Sequence, residues 1–230
     1  MDFASFRLAA STADLDDEPA ARDEADLLEF RMDLSTGGPD AVRGYDGSLP
    51  LLVTNRVAWE GGEADDTPAR LDALAAVLSQ ETVTAVDVEL AAVRAGDAGH
   101  VLSTAREHDV RTVVSVHDFE STPPPDTLRS LLASACEHGD IGKLAVTARS
   151  RDDVLDLLTV TRDLTAAGQR VATMAMGEAG RHSRAVAPLY GSCLGYAPVD
   201  PAAATAPGQY TLGTLRRLVD QLSGRRLPEH

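Results

Sequence analysis

Residues 112–123 read TVVSVHDFESTP. Thr112–Val116 is rich in β-branched residues and almost free of polar side chains, the pattern of a strand buried on both faces. It ends on His117 and Asp118 and runs into a loop heavy in proline. A lone histidine on an apolar strand is more often a core residue than a catalytic one. What His117 means depends on what the other strands carry at the same level.

Working outward, the stretch belongs to a series. Strands are predicted at Phe6–Ser11, Leu27–Leu34, Leu49–Arg56, Thr84–Glu89, Arg111–His117, Ile141–Thr147, Arg170–Met176 and Gly191–Ala197. Amphipathic helices are predicted between them, at Thr67–Gln80, Ala98–His108, Asp126–His138, Ser150–Ala167, Glu178–Leu189 and Thr211–Leu222. Thr67-Pro68 is an N-cap followed by proline at the first helical position, and Ser150 with Asp153 forms a near capping box in a helix that stops at Gly168. Asp14–Ala25 is a weaker helix, and the segment after Leu34 is short and glycine-rich. Strands alternating with helices over 230 residues predict a compact (β/α)8 TIM barrel, a single domain spanning 1–230. An open doubly wound sheet is the alternative, but no GxGxxG follows the first strand to support its dinucleotide-binding form.

Composition narrows the function. At 43% hydrophobic residues the chain can fill one substantial core. No apolar run approaches the ~18 residues of a membrane span. The acidic opening MDFASFRLAASTADLDDE lacks the basic and apolar regions of a secretory signal, so a cytoplasmic location is expected. Cys136 and Cys193 lie far apart and read as free thiols of a reducing compartment. A net charge of −15 argues against nucleic acid or an anionic membrane as partner. Of the 21 basic residues, 20 are arginine and one is lysine, Lys143. A chain that uses arginine for every ordinary cation needs a separate reason for its one lysine.

That reason is chemical. In IGKLAV, Lys143 lies inside an apolar strand, where desolvation and nearby cations free the amine to attack a carbonyl. Arginine stays protonated and cannot do this. In a barrel the strand ends converge on one face, where chemistry sits. There Glu29 and Arg31 share one side of strand two, Arg56 ends strand three with Glu60 just after it, and Asp87 and Glu89 share one side of strand four. His117 ends strand five, Lys143 lies on strand six, and Met174 and Met176 on strand seven, with Arg184 just beyond. Each charge alone could be solvated or structurally paired. Together they point to a Schiff-base lysine with His117 as the acid–base group. Metal is disfavoured: there is no HxH, HExxH or paired cysteine, and arginines crowd the acids.

The motifs LLEFRMDL, Arg56-x-x-x-Glu60-Gly-Gly, VDVEL, SVHDFESTP, GKLAV, Met174-x-Met176, HSR and APGQ occur in one order from about Phe6 to Leu222. In this the chain resembles the type I 3-dehydroquinate dehydratases. The resemblance implies dehydration of 3-dehydroquinate to 3-dehydroshikimate in the shikimate pathway of aromatic amino-acid biosynthesis, with no metal or organic cofactor, by a homodimer. It implies that Lys143 forms the Schiff base, His117 moves the protons and Glu60 orients His117. It implies that Glu29, Arg31, Arg56, Glu89, Met176, Arg184, Tyr196, Thr205 and Gln209 line the substrate site, with a less defined role for Asp87. Tyr196 stands where the family often has phenylalanine, and Thr205 where it commonly has serine. The long Ala/Pro-rich loop Ala197–Gln209 is expected to close over the substrate. A class I aldolase shares the barrel and the lysine, and a non-catalytic barrel binding a small carboxylate would need only the arginines; both stay open at this level.

Overall fold

The computed structural model describes residues 2–203 and 208–224. Among them eight parallel strands form one sheet: β1 Arg7–Thr12, β2 Leu27–Arg31, β3 Leu51–Thr54, β4 Val83–Glu89, β5 Arg111–Asp118, β6 Ile141–Thr147, β7 Val171–Met176 and β8 Leu194–Pro198. Their order is β7-β6-β5-β4-β3-β2-β1-β8. Because β1 pairs with both β2 and β8, only one seam remains. It is drawn together by the Val171–Ser192 bridge, where Cys193 N donates to Val171 O at 2.8 Å. The sheet is thus a (β/α)8 barrel, as the alternating pattern predicts.

The α-helices among the described residues are α1 Glu18–Ala21, α2 Gly38–Gly44, α3 Pro68–Ala75, α4 Leu90–Ala95, α5 Gly99–Glu107, α6 Pro125–His138, α7 Arg151–Ala166, α8 Gly177–Gly180, α9 Ser183–Val186 and α10 Leu212–Leu222. None is long and apolar enough to cross a membrane. At α7 the capping box is complete: Ser150 Oγ accepts from Asp153 N, and Asp153 accepts from Ser150 N. Three helical expectations need correction. Glu178–Leu189 is not one helix but α8, α9 and a 3₁₀ turn at Ala187–Tyr190. Gly180, at the end of α8, sits so close to Ala175 that a Cβ would lie 2.7 Å from its carbonyl oxygen, and Pro188 cannot extend α9. α3 ends at Ala75 and passes into turns before β4. α4 is an additional short helix, directly after β4 and stopped at Gly96.

The apolar residues divide into an inner and an outer set. Ala9, Leu27, Leu52, Ala85, Val113, Ile141, Ala172 and Leu194 fill the barrel interior. The alternate residues, such as Leu28, Phe30, Val86, Val114 and Leu144, pack outward beneath the helices. Truncating a fully buried member such as Leu52 or Ile141 to alanine removes roughly 2–5 kcal/mol. Towards the strand C-termini the inner positions change from apolar to charged, and the site begins there.

Candidate active site

Strand register sets the levels. Glu89, Ser115, Lys143 and Ala172 are side-by-side partners across β4 to β7. His117 lies two residues further along β5, level with Ala145, so it stands one pleat nearer the mouth than Lys143. Ser11 pairs with Glu29 and Arg31 with Thr54 on the opposite wall.

Lys143 Nζ donates to Asp87 Oδ2 at 3.0 Å and sits 4.2 Å from the centre of the Tyr196 ring, a cation–π contact. Asp87 Oδ1 accepts from Arg56 Nη2 and from Ser115 Oγ, both at 2.6 Å. Burial pushes the Asp87 carboxyl up, but Arg56 and Lys143 outweigh it and hold the group well below the usual carboxylate range. Arg56 also donates to Ser115 Oγ at 2.8 Å and faces Glu89 Oε1 at 3.1 Å. Its burial opposes its charge, and Asp87, Glu89 and Glu60 together outweigh that penalty.

Glu60 is brought to this cluster by a tight turn. Gly61 adopts φ 79° after the 3₁₀ turn Ala58–Glu60, and a Cβ on Gly62 would lie 2.0 Å from Arg56 O. The Glu-Gly-Gly sequence therefore folds the chain back, and Glu60 Oε2 reaches His117 Nδ1 at 2.8 Å. Arg56 Nη1 is 3.6 Å from the same oxygen, too far for a hydrogen bond. Burial outweighs its attraction and pushes the Glu60 carboxyl up to about 8, helped by Glu89 and Asp87. Burial, then Arg56 and Lys143, push the His117 imidazole well below its ordinary value. The dyad thus has two useful forms. With the extra proton, Nε2–H can donate. Without it, the Glu60 carboxylate accepts Nδ1–H and Nε2 is a free base.

On the other wall Glu29 accepts from Ser11 Oγ at 2.5 Å and Thr54 Oγ1 at 3.2 Å. Arg31 is fixed by a fork to Asp33, with bonds of 2.9 and 2.6 Å, rather than by Glu29. Arg184, on α9, is buried, and its Nε and Nη2 have no hydrogen-bond partner among the described residues. Burial lowers its pKa to about 10. Gln209 reaches the site because Gly208, at φ 79°, lies so close to Gly177 that a Cβ would stand 2.7 Å from Gly177 O.

These groups surround a cavity of about 530 Å³, including its open mouth, lined by Glu29, Arg31, Arg56, Glu60, His117, Lys143, Met174, Met176, Arg184, Tyr196 and Gln209. Glu89 does not line it; it stands behind Arg56, 1% exposed. Thr205 and the middle of the Ala197–Gln209 loop lie outside the described residues. Sequence reasoning left Asp87 without a defined place and passed over Ser115, Ser11 and Thr54. Ser115 lies two residues before His117 and Thr54 two before Arg56, the period-two signal available in the sequence; Ser11 faces Glu29 only through strand pairing.

A family model described as Type I 3-dehydroquinase matches residues 7–226. The chain belongs to this family. It is 60% identical over 225 residues to the 3-dehydroquinate dehydratase of Haloarcula marismortui, covering 96% of this chain and 98% of that one. Against the enzyme of Halobacterium salinarum the identity is 51%, covering 96% and 100%. Among solved structures, the 3-dehydroquinate dehydratase of Geobacillus kaustophilus superposes with a TM-score of 0.84 at 29% identity, covering 97% of this chain and 93% of that one. A type I enzyme from Clostridium difficile, solved with covalently modified comenic acid, gives 0.85 at 25% identity, covering 96% and 94%. Membership of this type I 3-dehydroquinase family sets aside the aldolase and the non-catalytic barrel.

Proposed function

We propose that this chain dehydrates 3-dehydroquinate to 3-dehydroshikimate, within the shikimate route to aromatic amino acids, through an imine on Lys143. The observation that carries the mechanism is the placing of a buried lysine one pleat beneath the hydrogen-bonded His117–Glu60 pair in one cavity. His117 in its base form takes a proton from the Lys143 ammonium, and the freed amine attacks the substrate ketone. His117 then returns that proton to the carbinolamine hydroxyl, which leaves as water and gives an iminium. The iminium draws electrons, so the neighbouring C–H becomes acidic. His117 Nε2 takes that proton, giving an enamine. The enamine expels the β-hydroxyl, which leaves as water with the proton returned by His117. Water then hydrolyses the imine, restoring the amine and releasing the enone product. No oxidant, metal or organic cofactor enters this balance.

Binding falls to the remaining groups. Arg184 offers two unused N–H donors in a planar fork suited to the substrate carboxylate. Glu29, Arg31 and Gln209 face the hydroxyl-bearing side, and Met176 and Tyr196 flank the ring. Glu89 acts through Arg56, and Thr205 is assigned to the substrate only by family resemblance. The working form is read as a homodimer on the same ground, and as cytoplasmic from the two free cysteines. The test is to incubate the protein with 3-dehydroquinate, follow enone absorbance, and add borohydride. Product formation and one ligand mass on Lys143 are expected. Turnover with no adduct on Lys143 would overturn the mechanism; no turnover would overturn the assignment of substrate.

A further inference from the structure

Arg70 is a buried charge that the mechanism leaves unused. It lies in the first turn of α3 and is 5% exposed. Three effects disfavour a cation there. Burial strips its hydration. The positive end of the helix dipole repels it. Its Nε has no hydrogen-bond partner among the described residues. A buried ion pair is often no more stabilising than well-packed apolar side chains of similar volume, so fold stability alone does not call for an Arg70–Glu89 pair.

Its contacts run toward the active site. Arg70 Nη1 donates to Glu89 Oε2 at 2.8 Å and to Asn55 O at 2.9 Å. Asn55 Nδ2 donates back to Arg70 O at 3.0 Å. Asn55 directly precedes Arg56, and on the far side Val57 N donates to Glu89 Oε1 at 3.2 Å. Arg56 itself faces that same Oε1 at 3.1 Å. Arg70 therefore holds the backbone before Arg56 directly. Through Glu89 it holds the backbone after Arg56 and the guanidinium itself.

We propose that Arg70 is a positioning residue for the dehydration: it satisfies one oxygen of Glu89 and clamps Asn55, so that Arg56 stays turned toward Asp87, Ser115 and Glu60. This rests on the roles given above to Lys143 and His117. Without Arg70, Glu89 faces Arg56 as its single cation and draws it away from Asp87 and Glu60. Asp87 then loses Arg56 and keeps only Lys143 and Ser115 of the partners described above. Glu60 and His117 both hold protons more tightly, because the charge of Arg56 opposes protonation of each. The acid side of the pH profile moves upward.

The experiment compares the full chain with Arg70→Gln, Arg70→Lys, Glu89→Gln and the Arg70→Gln/Glu89→Gln pair, using 3-dehydroquinate. For R70Q, kcat is expected to fall about tenfold with KM nearly unchanged, since Arg70 touches no substrate. The acid limb of kcat should rise by about half a pH unit, and R70K should restore it. In the E89Q background R70Q should add less than about a twofold loss, because its route is already cut. If R70Q does not fold, Asn55→Ala loosens the same clamp without unpairing a charge. It should lower kcat about threefold at constant KM, the size of one hydrogen bond. A variant that loses only thermal stability, raises KM at constant kcat, or adds its full loss to E89Q overturns the role of Arg70. A wild type that leaves 3-dehydroquinate unchanged overturns the functional reading instead, so the two failures are distinguishable.

Discussion

Lys143 Nζ and Asp87 Oδ2 meet at 3.0 Å from strands β6 and β4, with β5 between them. Their side chains are 5% and 0% exposed. A buried pair of this kind survives only if its remaining lone pairs and protons are also met. Here Asp87 Oδ1 takes both Arg56 and Ser115, so one carboxylate balances the reactive amine and anchors the central arginine.

Asp87→Asn keeps the shape and removes the charge. Lys143 and Arg56 are then left close together without the anion between them. Unfolding free energy is expected to fall by about 3–5 kcal/mol, as when one partner of a buried pair is lost. Urea denaturation measures it, and turnover should fall in parallel. A wild-type midpoint would show that Glu89 alone neutralises both cations.

The dyad predicts a pH dependence. The Glu60 carboxyl ionises near 8 in the empty protein, so the base form of His117 appears as pH rises through that value. Since kcat/KM reports the free enzyme, it should climb with pH up to about 8. In Glu60→Gln the amide cannot titrate and the imidazole is already neutral, so this limb should vanish beneath a lower plateau. Stability should follow the same group. Its folded pKa lies above its unfolded one, so its favourable contribution is complete below 4.5 and lost as pH rises through 8. E60Q should therefore gain on the wild type in urea midpoint between those limits. An identical limb in both proteins would place the titration elsewhere.

Arg184 opposes stability in the empty site, where two of its buried donor nitrogens have no partner among the described residues. Arg184→Met is expected to raise the thermal midpoint of the empty protein. It should also raise KM roughly 10- to 100-fold, since a hydrogen bond to a charged group contributes about 1.5–3 kcal/mol. Calorimetry and steady-state kinetics read the two effects. A lower midpoint with KM unchanged would mean that Arg184 braces the fold and does not receive the substrate.

Net charge predicts the response to salt. At −15 the chain repels itself. Screening shortens from about 10 Å at 0.1 M to about 3 Å at 1 M, which weakens repulsion among exposed acids far more than the buried clusters. The thermal midpoint should therefore rise with KCl over this range. A midpoint that falls would show that surface ion pairs such as Arg129–Asp163 outweigh the repulsion.

Much of the barrel was legible because its signals are local. A strand buried on both faces needs an apolar run, and a helix start needs a cap; both lie within a few residues, as at Ile141–Thr147 and Ser150–Asp153. The broken segment after β7 was misread because Glu178–Leu189 has helical composition. Pro188 ends α9, and the break between α8 and α9 lies where Gly180 sits close against Ala175 of β7.

The same division holds for the site. Alternation within a strand is a property of the backbone, so the sequence by itself determined which residues point inward: Glu29 with Arg31, Asp87 with Glu89, Ser115 with His117, and the solitary Lys143. Partners were decided only by tertiary structure. Lys143 and Asp87 are 56 residues apart in the chain, and His117 and Glu60 are 57. Their meeting depends on strand register and on the Gly61-Gly62 turn. Nothing local could tell that Lys143 takes Asp87 rather than Glu89, or that Glu89 turns back to Arg70. The physical reason is that hydrogen bonds between side chains require positions within about 3 Å, and those positions exist only once the barrel has closed.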